Sequence, residues 1–369
     1  VEVLPSKEEI TKPDTLPEIQ EDGMKWDLRH KDLRTFDLRN NDSFSQVSYD
    51  LATLWPEQLP ANFNPKSIME IGKNPGLGIR ALHTQGITGK GVNIAIIDQN
   101  LLLDHIEYKE NIQMYETINS YEEKSASWHG PAVTSIAVGK TTGVAPDAKV
   151  YYIATSLSDL KKDSNGETVN DTNLSYMAKG IERVLEINKV LSEKDKIRVI
   201  SISRGFSDLE KEDEKMVYDA IEKAKKENVL VITTSMEMNY GIGLFGLNRL
   251  PMGDGDDINT YSLGFRSNPN YISSYNAIYV PMDSRAYAGY TSNDDYTYGA
   301  VGGLSWTCPW LAGMYALCLQ VNPNLTPDTF LSLANKTSTE LSDENDSTKI
   351  LKLNVVNPEA LIEKVKAMK

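Results

Sequence analysis

From Gly91 onward the chain alternates short apolar runs with stretches whose apolar residues recur every three or four positions. The runs at 92–97, 149–153, 198–203 and 229–233 are rich in β-branched residues and too short for helices, so they predict strands buried on both faces. Between the last three lie two helical stripes, Leu174, Met177, Ile181, Val184 and Leu185, then Met216, Val217, Ala220, Ile221 and Ala224. This rhythm predicts βαβ units and a parallel sheet, an α/β fold class. A helix is expected from about Trp306 to just before Asn322-Pro323, and Pro327 and Pro358 stand where first helical turns begin. Residues 236–300, rich in Gly, Asn, Asp and Tyr, show no long period and read as loops with short strands.

The pattern differs before residue 79. Residues 1–24 mix Pro5, Pro13 and Pro17 with many charges, too little apolar surface to order itself, and read as an acidic flexible tether. Asp-Leu-Arg then recurs at 27–29, 32–34 and 37–39, a period of five. Three copies are too few for a solenoid, so residues 25–78 are read as an extension that packs Leu28, Leu33 and Leu38 on a main domain spanning 79–369.

Composition narrows the partners. With 52 acidic against 38 basic residues, the net charge of −14 repels phosphate backbones and anionic lipid, so no nucleic-acid partner is expected. No apolar run is long enough to span a membrane, and no charged start followed by an apolar signal region occurs. A monomer is expected. Cys308 and Cys318 fall on one predicted helix, their Cα atoms ~15 Å apart, beyond the reach of a disulfide.

Parallel sheets place their sites at the carboxyl ends of strands, which draws attention to Asp98, closing the run 92–97. Alone, an Asp there is more often a turn residue. His129 sits in the turn Ser127-Trp128-His129-Gly130-Pro131 before an apolar helical stretch, where an ordinary surface role is the commoner one. Gly302-Gly303-Leu304-Ser305 opens a helix, where free N–H groups and the helix dipole favour negative charge, although the same turn serves as a plain N-cap.

In order, these segments resemble the subtilisin family. Leu82-His83-Thr84-Gln85-Gly86-Ile87-Thr88-Gly89-Lys90-Gly91-Val92 is similar to the entry to its first catalytic strand, Asp98 begins its Asp motif, and His105 follows at the family spacing. His129-Gly130 and Gly143-Val144-Ala145-Pro146-Asp147-Ala148 match the next motifs, and Val199-Ile200-Ser201-Ile202-Ser203 its substrate strand. Gly303-Leu304-Ser305-Trp306-Thr307-Cys308-Pro309-Trp310-Leu311-Ala312-Gly313 follows the nucleophile motif. The resemblance covers about residues 79–335 and implies a three-layer fold with a central, mostly parallel sheet. It implies a serine endopeptidase in which Ser305 attacks the scissile carbonyl, His129 is the base and Asp98 holds the imidazole, with a protein or peptide substrate and no cofactor. Secretion or cell-surface association is a further implication, the family being mostly exported.

Several positions depart from the family. Its side-chain oxyanion donor is an Asn, but ungapped counting puts Glu237 there and Met236 in the preceding Gly position, with Asn239 as a substitute after a two-residue shift. Ser203, Arg204, Gly205 and Met236 are the expected substrate-binding residues, Met236 implying a shallow specificity pocket and Arg204 either a taste for acidic groups or a side chain that points to solvent. The short span from His129 to Gly143 lacks the family's calcium loop, so no metal is expected there; Asp254-Gly255-Asp256-Asp257 reads as a solvated loop. The alternative reading is a pseudoprotease that binds a peptide or protein partner through the same cleft.

Overall fold

The computed structural model describes residues 2–16, 27–40, 47–119, 124–264, 276–343 and 350–368. Its central sheet contains β1 (Asn93–Asp98), β2 (Ile112–Asn119), β3 (Lys149–Thr155), β4 (Ile197–Ser201) and β5 (Leu230–Ile232), all parallel, in the order β2-β3-β1-β4-β5. The chain builds to one side of β1 with β3 and then crosses to the other with β4, so the strand order reverses at β1. A cleft opens naturally at such a switch point, beyond the strand ends.

The helices that frame the site are α1 (His129–Val138), α2 (Ser175–Val190), α3 (Glu212–Lys226) and, after the one-turn α4 (Glu237–Tyr240), α5 (Thr307–Val321). Alternate residues of β1 feed two cores. Ile94 and Ile96 pack with α1 and α5, while Ala95 and Ile97 pack with α2 and α3, which makes the three layers. Every residue of α5 except Gln320 is buried, as expected of a helix apolar on all sides. In α3, Glu212, Asp213 and Glu214 occupy the first turn and Lys223, Lys225 and Lys226 the last, each sign where the helix dipole favours it. Met216, assigned to the apolar stripe of α3, is 39% exposed and lies off it.

Residues 236–300 hold more regular structure than loops. β6 (Gly243–Arg249) and β7 (Ala277–Pro281) pair in parallel within a second five-stranded sheet, with Tyr261–Leu263, Leu351–Val355 and Thr339–Asp343. Gly246 breaks the β-branched pattern because Met282 packs against it: a Cβ there would stand 2.2 Å from the Met282 sulfur. β8 (Arg285–Ala288) and β9 (Tyr296–Gly299) form a hairpin extended by Tyr49–Asp50.

The N-terminal extension packs on that hairpin. Leu28, Leu33 and Leu38 are fully buried, clustered with Tyr49, Phe63, Ala286 and Tyr298. Their N–H groups donate to the carbonyls of Ser48, Leu54 and Gln58 at 2.8, 2.8 and 3.1 Å, so successive turns of the coil lie beside the returning chain. In each repeat the Arg folds back on the Asp two residues earlier, as in Arg34 Nε to Asp32 Oδ1 at 2.9 Å. Residues 2–16 do not hang free as a tether would. The Leu4 N–H donates to the Lys124 carbonyl at 2.7 Å, Ser6 to Tyr290 at 2.9 Å and Thr11 to His30 at 2.9 Å, backbone bonds that hold a polar segment without an apolar face. The rest of the expected tether, residues 17–24, lies outside the described residues, as does Trp26.

Candidate functional site

Asp98 is the last residue of β1 and 8% exposed. One of its carboxylate oxygens accepts from the Gln99 N–H at 2.8 Å and from His129 Nδ1 at 2.7 Å. His129 is the first residue of α1, brought to the strand end because Gly130 lets the helix approach: a Cβ on Gly130 would lie 2.6 Å from the Tyr152 hydroxyl and 2.8 Å from the Gln99 carbonyl. Burial works against the imidazolium, but the charge of Asp98 and its hydrogen bond outweigh it and hold His129 above its ordinary pKa. The ring lies between two indoles, with Trp306 5.4 Å away and tilted by 35° and Trp128 5.2 Å away and perpendicular.

Ser305 sits in a single 3-10 turn, Leu304–Trp306, at the head of α5. Its hydroxyl donates to the Ser203 carbonyl at 3.3 Å, and the Ser203 hydroxyl donates back to the Ser305 carbonyl at 2.7 Å. The turn that carries Ser305 is thereby fastened to the segment just past β4, and the hydroxyl's bond goes to Ser203 rather than to His129.

Asp98, His129, Ser203, Arg204 and Ser305 all line one cleft of about 330 Å³. Its far wall is the hairpin Ser158–Lys162 and Thr168–Thr172, which contributes Ser158, Asn170 and Thr172 and which the sequence reading did not pick out. The alternation in Thr168-Val169-Asn170-Asp171-Thr172 was the available signal, hidden because neither face is apolar. Through Thr172 and Arg204 this cleft continues into a second of about 600 Å³, lined by Gly205, Phe206, Ser235, Lys211 and Glu214 among others. Gly205 is needed bare there, since a Cβ would stand 2.6 Å from the hydroxyls of Thr234 and Ser235. The side chain of Arg204 is exposed and makes no ion pair with the described residues.

The expected oxyanion and pocket residues fall elsewhere. Asn239 faces α3, donating to Glu222 Oε1 at 2.9 Å and to the Tyr218 carbonyl at 3.3 Å, so its amide is not available to a substrate. Met236 is 1% exposed and belongs to the core, so it does not shape a substrate pocket. Glu237 opens α4, where a carboxylate suits the helix start, and neither it nor Asn239 lines the two clefts. The reason is backbone geometry: β5 ends at Ile232 and the chain coils at once into α4, so counting along an extended segment points to the wrong side chains. Ser235, which the counting passed over, lines the second cleft and accepts from the Phe206 N–H at 3.1 Å.

His105, placed at a family spacing, is fully buried with Nε2 on the Asp295 carbonyl at 2.8 Å, a structural role. Cys308 and Cys318 are free and buried, their thiols pushed up by that burial. Among the described residues no group of three or more His, Cys, Asp or Glu side chains is arranged to hold a metal ion, and no helix is long and apolar enough to cross a membrane.

An acid, an imidazole and a serine at the switch point of a parallel three-layer sheet define a protein with the subtilisin fold. The model of the Subtilase family matches residues 89–235, a span that includes Asp98, His129 and Ser203 and ends before Ser305. The subtilisin-like protease PopC of Myxococcus xanthus (strain DK1622) is 26% identical over 158 residues, 40% of this chain and 31% of PopC. The chain thus matches about a third of that relative's length. Among solved structures, the prenylagaramide maturation protease PagA superposes with a TM-score of 0.54 at 17% identity, over 79% of this chain and 99% of PagA. The A-subunit of the AB5 toxin from E. coli superposes with a TM-score of 0.59 at 14% identity, over 80% of this chain and 99% of that one. At such identities the structures speak for the fold alone.

Proposed function

We propose that this protein is a serine endopeptidase that cleaves peptide bonds in extended protein segments through an acyl-enzyme on Ser305. The observation that carries the reading is the 2.7 Å bond from His129 Nδ1 to Asp98, with Ser305 in the same cleft. A serine hydroxyl is a poor nucleophile near neutral pH and needs an adjacent base, and the base needs a partner to fix its tautomer. With Nδ1 held by Asp98, the Nε2 of His129 is the nitrogen left to take the Ser305 proton and pass it to the leaving amine. The hydroxyl must first swing from the Ser203 carbonyl, a rotation about one side-chain bond. The Ser305 N–H at the head of α5 supplies one oxyanion donor. The family's side-chain donor has no counterpart in Asn239, and its loss costs ~10² to 10³ in turnover in subtilisin itself. The enzyme is therefore a slow one. The acidic surface further suggests a monomer without nucleic-acid partners, and export to the cell exterior is proposed on the family resemblance.

The second reading, a pseudoprotease that binds a peptide in the same cleft, is favoured by the Ser305 hydroxyl resting on Ser203 and by the engaged amide of Asn239. A fluorophosphonate probe distinguishes the two. Covalent labelling of Ser305, absent in Ser305→Ala, is expected for the enzyme; a folded protein with no adduct at any pH from acidic to alkaline belongs to the second reading.

A further inference from the structure

We propose that Arg285, beside Arg249, binds a small monovalent anion, a halide such as chloride, in the interior behind the loop that carries Ser305. Arg285 opens β8 and is 3% exposed, yet its Nε, Nη1 and Nη2 all lack a hydrogen-bond partner among the described residues. A guanidinium presents five N–H donors, has no acceptor and keeps its proton, so it cannot escape burial by becoming neutral as a carboxyl or amine does. An unpaired buried cation is among the most unfavourable arrangements a protein can hold.

The nearest full charge is positive rather than negative. Burial first, and then the neighbouring charge of Arg249, depress the Arg285 pKa to about 9; the phenols of Tyr261 and Tyr287 oppose this, and no carboxylate is among the groups acting on it. Arg249 is largely satisfied, its Nη atoms donating to the carbonyls of Asn74 and Ile71 at 3.3 Å each and of Ser284 at 2.9 Å. Ile71 lies in the last turn of the helix Pro65–Gly72, whose negative end offsets part of that charge. The Nε of Arg249 remains buried without a partner among the described residues, whereas the Tyr298 hydroxyl is met by Ser284 and is not among the groups acting on Arg285. Asp283, an acid two residues from Arg285, is committed to the Gly302 N–H at 2.6 Å.

Four buried nitrogens in two neighbouring residues are thus short of partners among the described residues, and each carries a proton to donate. One uncompensated positive charge remains. A monovalent anion answers both deficits at once, whereas a water molecule would accept hydrogen bonds without neutralising charge. Size favours a monatomic ion, because Arg249 and Arg285 are each 3% exposed and line neither cleft. The ion would brace the nucleophile turn from behind, since Arg249 holds the Ser284 carbonyl and Asp283 holds Gly302, three residues before Ser305.

The full chain would be melted at matched ionic strength in sodium chloride, sodium bromide, sodium phosphate and sodium gluconate. A saturable rise in Tm with chloride and bromide, relative to gluconate, is expected. Arg285→Met, which removes the buried charge and keeps the volume, should melt alike in all four salts. Arg285→Lys, the milder change, keeps the charge but loses the fork of donors and should need about fivefold more chloride for half the rise. Crystals grown in bromide should show an anomalous peak at the Arg285 guanidinium, a readout that holds even where Arg285→Met fails to fold. The proposal is overturned by identical wild-type melting in chloride and gluconate without a bromide peak. It is equally overturned by a halide effect that survives Arg285→Met, or by a rise with phosphate alone, which would mean an oxyanion.

Discussion

The pairing of Asp98 with His129 has a direction in pH. Because the folded imidazole titrates above its ordinary value, His129 is protonated and unable to act as a base at low pH, and turnover should rise with pH to a midpoint above 6.5. The same shift links to stability: the contribution of the charged pair is complete below about 6.5 and is lost as pH rises through the higher folded value. Asp98→Asn removes the charge that outweighs burial, so the midpoint should move below 6.5 while turnover falls by ~10⁴, the scale of that change in serine proteases generally. A pH–rate profile of kcat/KM on a peptide substrate reads both, and an unchanged midpoint would remove Asp98 from its role. Arg204 offers a separate test at the same scale. Its unpaired guanidinium at the junction of the two clefts should favour acidic side chains in the substrate, and Arg204→Glu should reverse the preference between acidic and basic peptides by roughly tenfold, summed over loss and repulsion. Equal kcat/KM ratios before and after would leave Arg204 a solvated surface residue.

Elements decide which of these residues were legible. The four buried strands and both interior helices follow from apolar rhythm, because burial on two faces leaves a continuous β-branched run and burial on one face leaves a stripe. Asp98 and Ser305 were legible for the same reason, each standing where such a run or helix begins or ends. Asn239 and Met236 were misassigned because a strand turning into α4 after Ile232 leaves no mark that ungapped counting can see. The hairpin wall at 158–172 and strand β6 were missed because polar faces and Gly246 hide the period of two. Glycine also sets how α5 meets α1. A Cβ at Gly313 would lie 2.6 Å from Val144 Cβ and 3.2 Å from the Ala137 carbonyl, so the helix carrying the nucleophile turn cannot move closer or tolerate a side chain. Gly313→Ala should cost ~1–3 kcal/mol by overpacking despite its better helix propensity, measured by urea denaturation. A stabilised variant would show that the helices separate freely and that Ser305 is less firmly seated than the packing implies.

At the scale of the molecule, the extension before residue 79 takes part in the fold. The Leu28–Leu33–Leu38 column covers Ala286 and Tyr298 on the hairpin β8–β9, and that hairpin leads directly into the nucleophile turn. An inhibitory segment would have to enter the cleft, but among the described residues from 2 to 78 none lines either cleft. The two ideas separate experimentally. Leu33 is fully buried, so Leu33→Ala should cost ~2–5 kcal/mol of stability, and a chain lacking residues 27–64 should fail to fold as a soluble species because its hairpin face is bared. Arg34→Ala, which removes only an exposed clamp on Asp32, should leave the urea midpoint where it was. Removing residues 1–12 breaks the backbone bonds at Leu4, Ser6 and Thr11 and leaves Leu16 on its core cluster, so that chain should fold and turn over substrate at the wild-type rate. A large gain in activity on that truncation would mean that the first residues restrain the site from the surface, through the Leu4 bonds on either side of Ser125, two residues before the turn that holds His129.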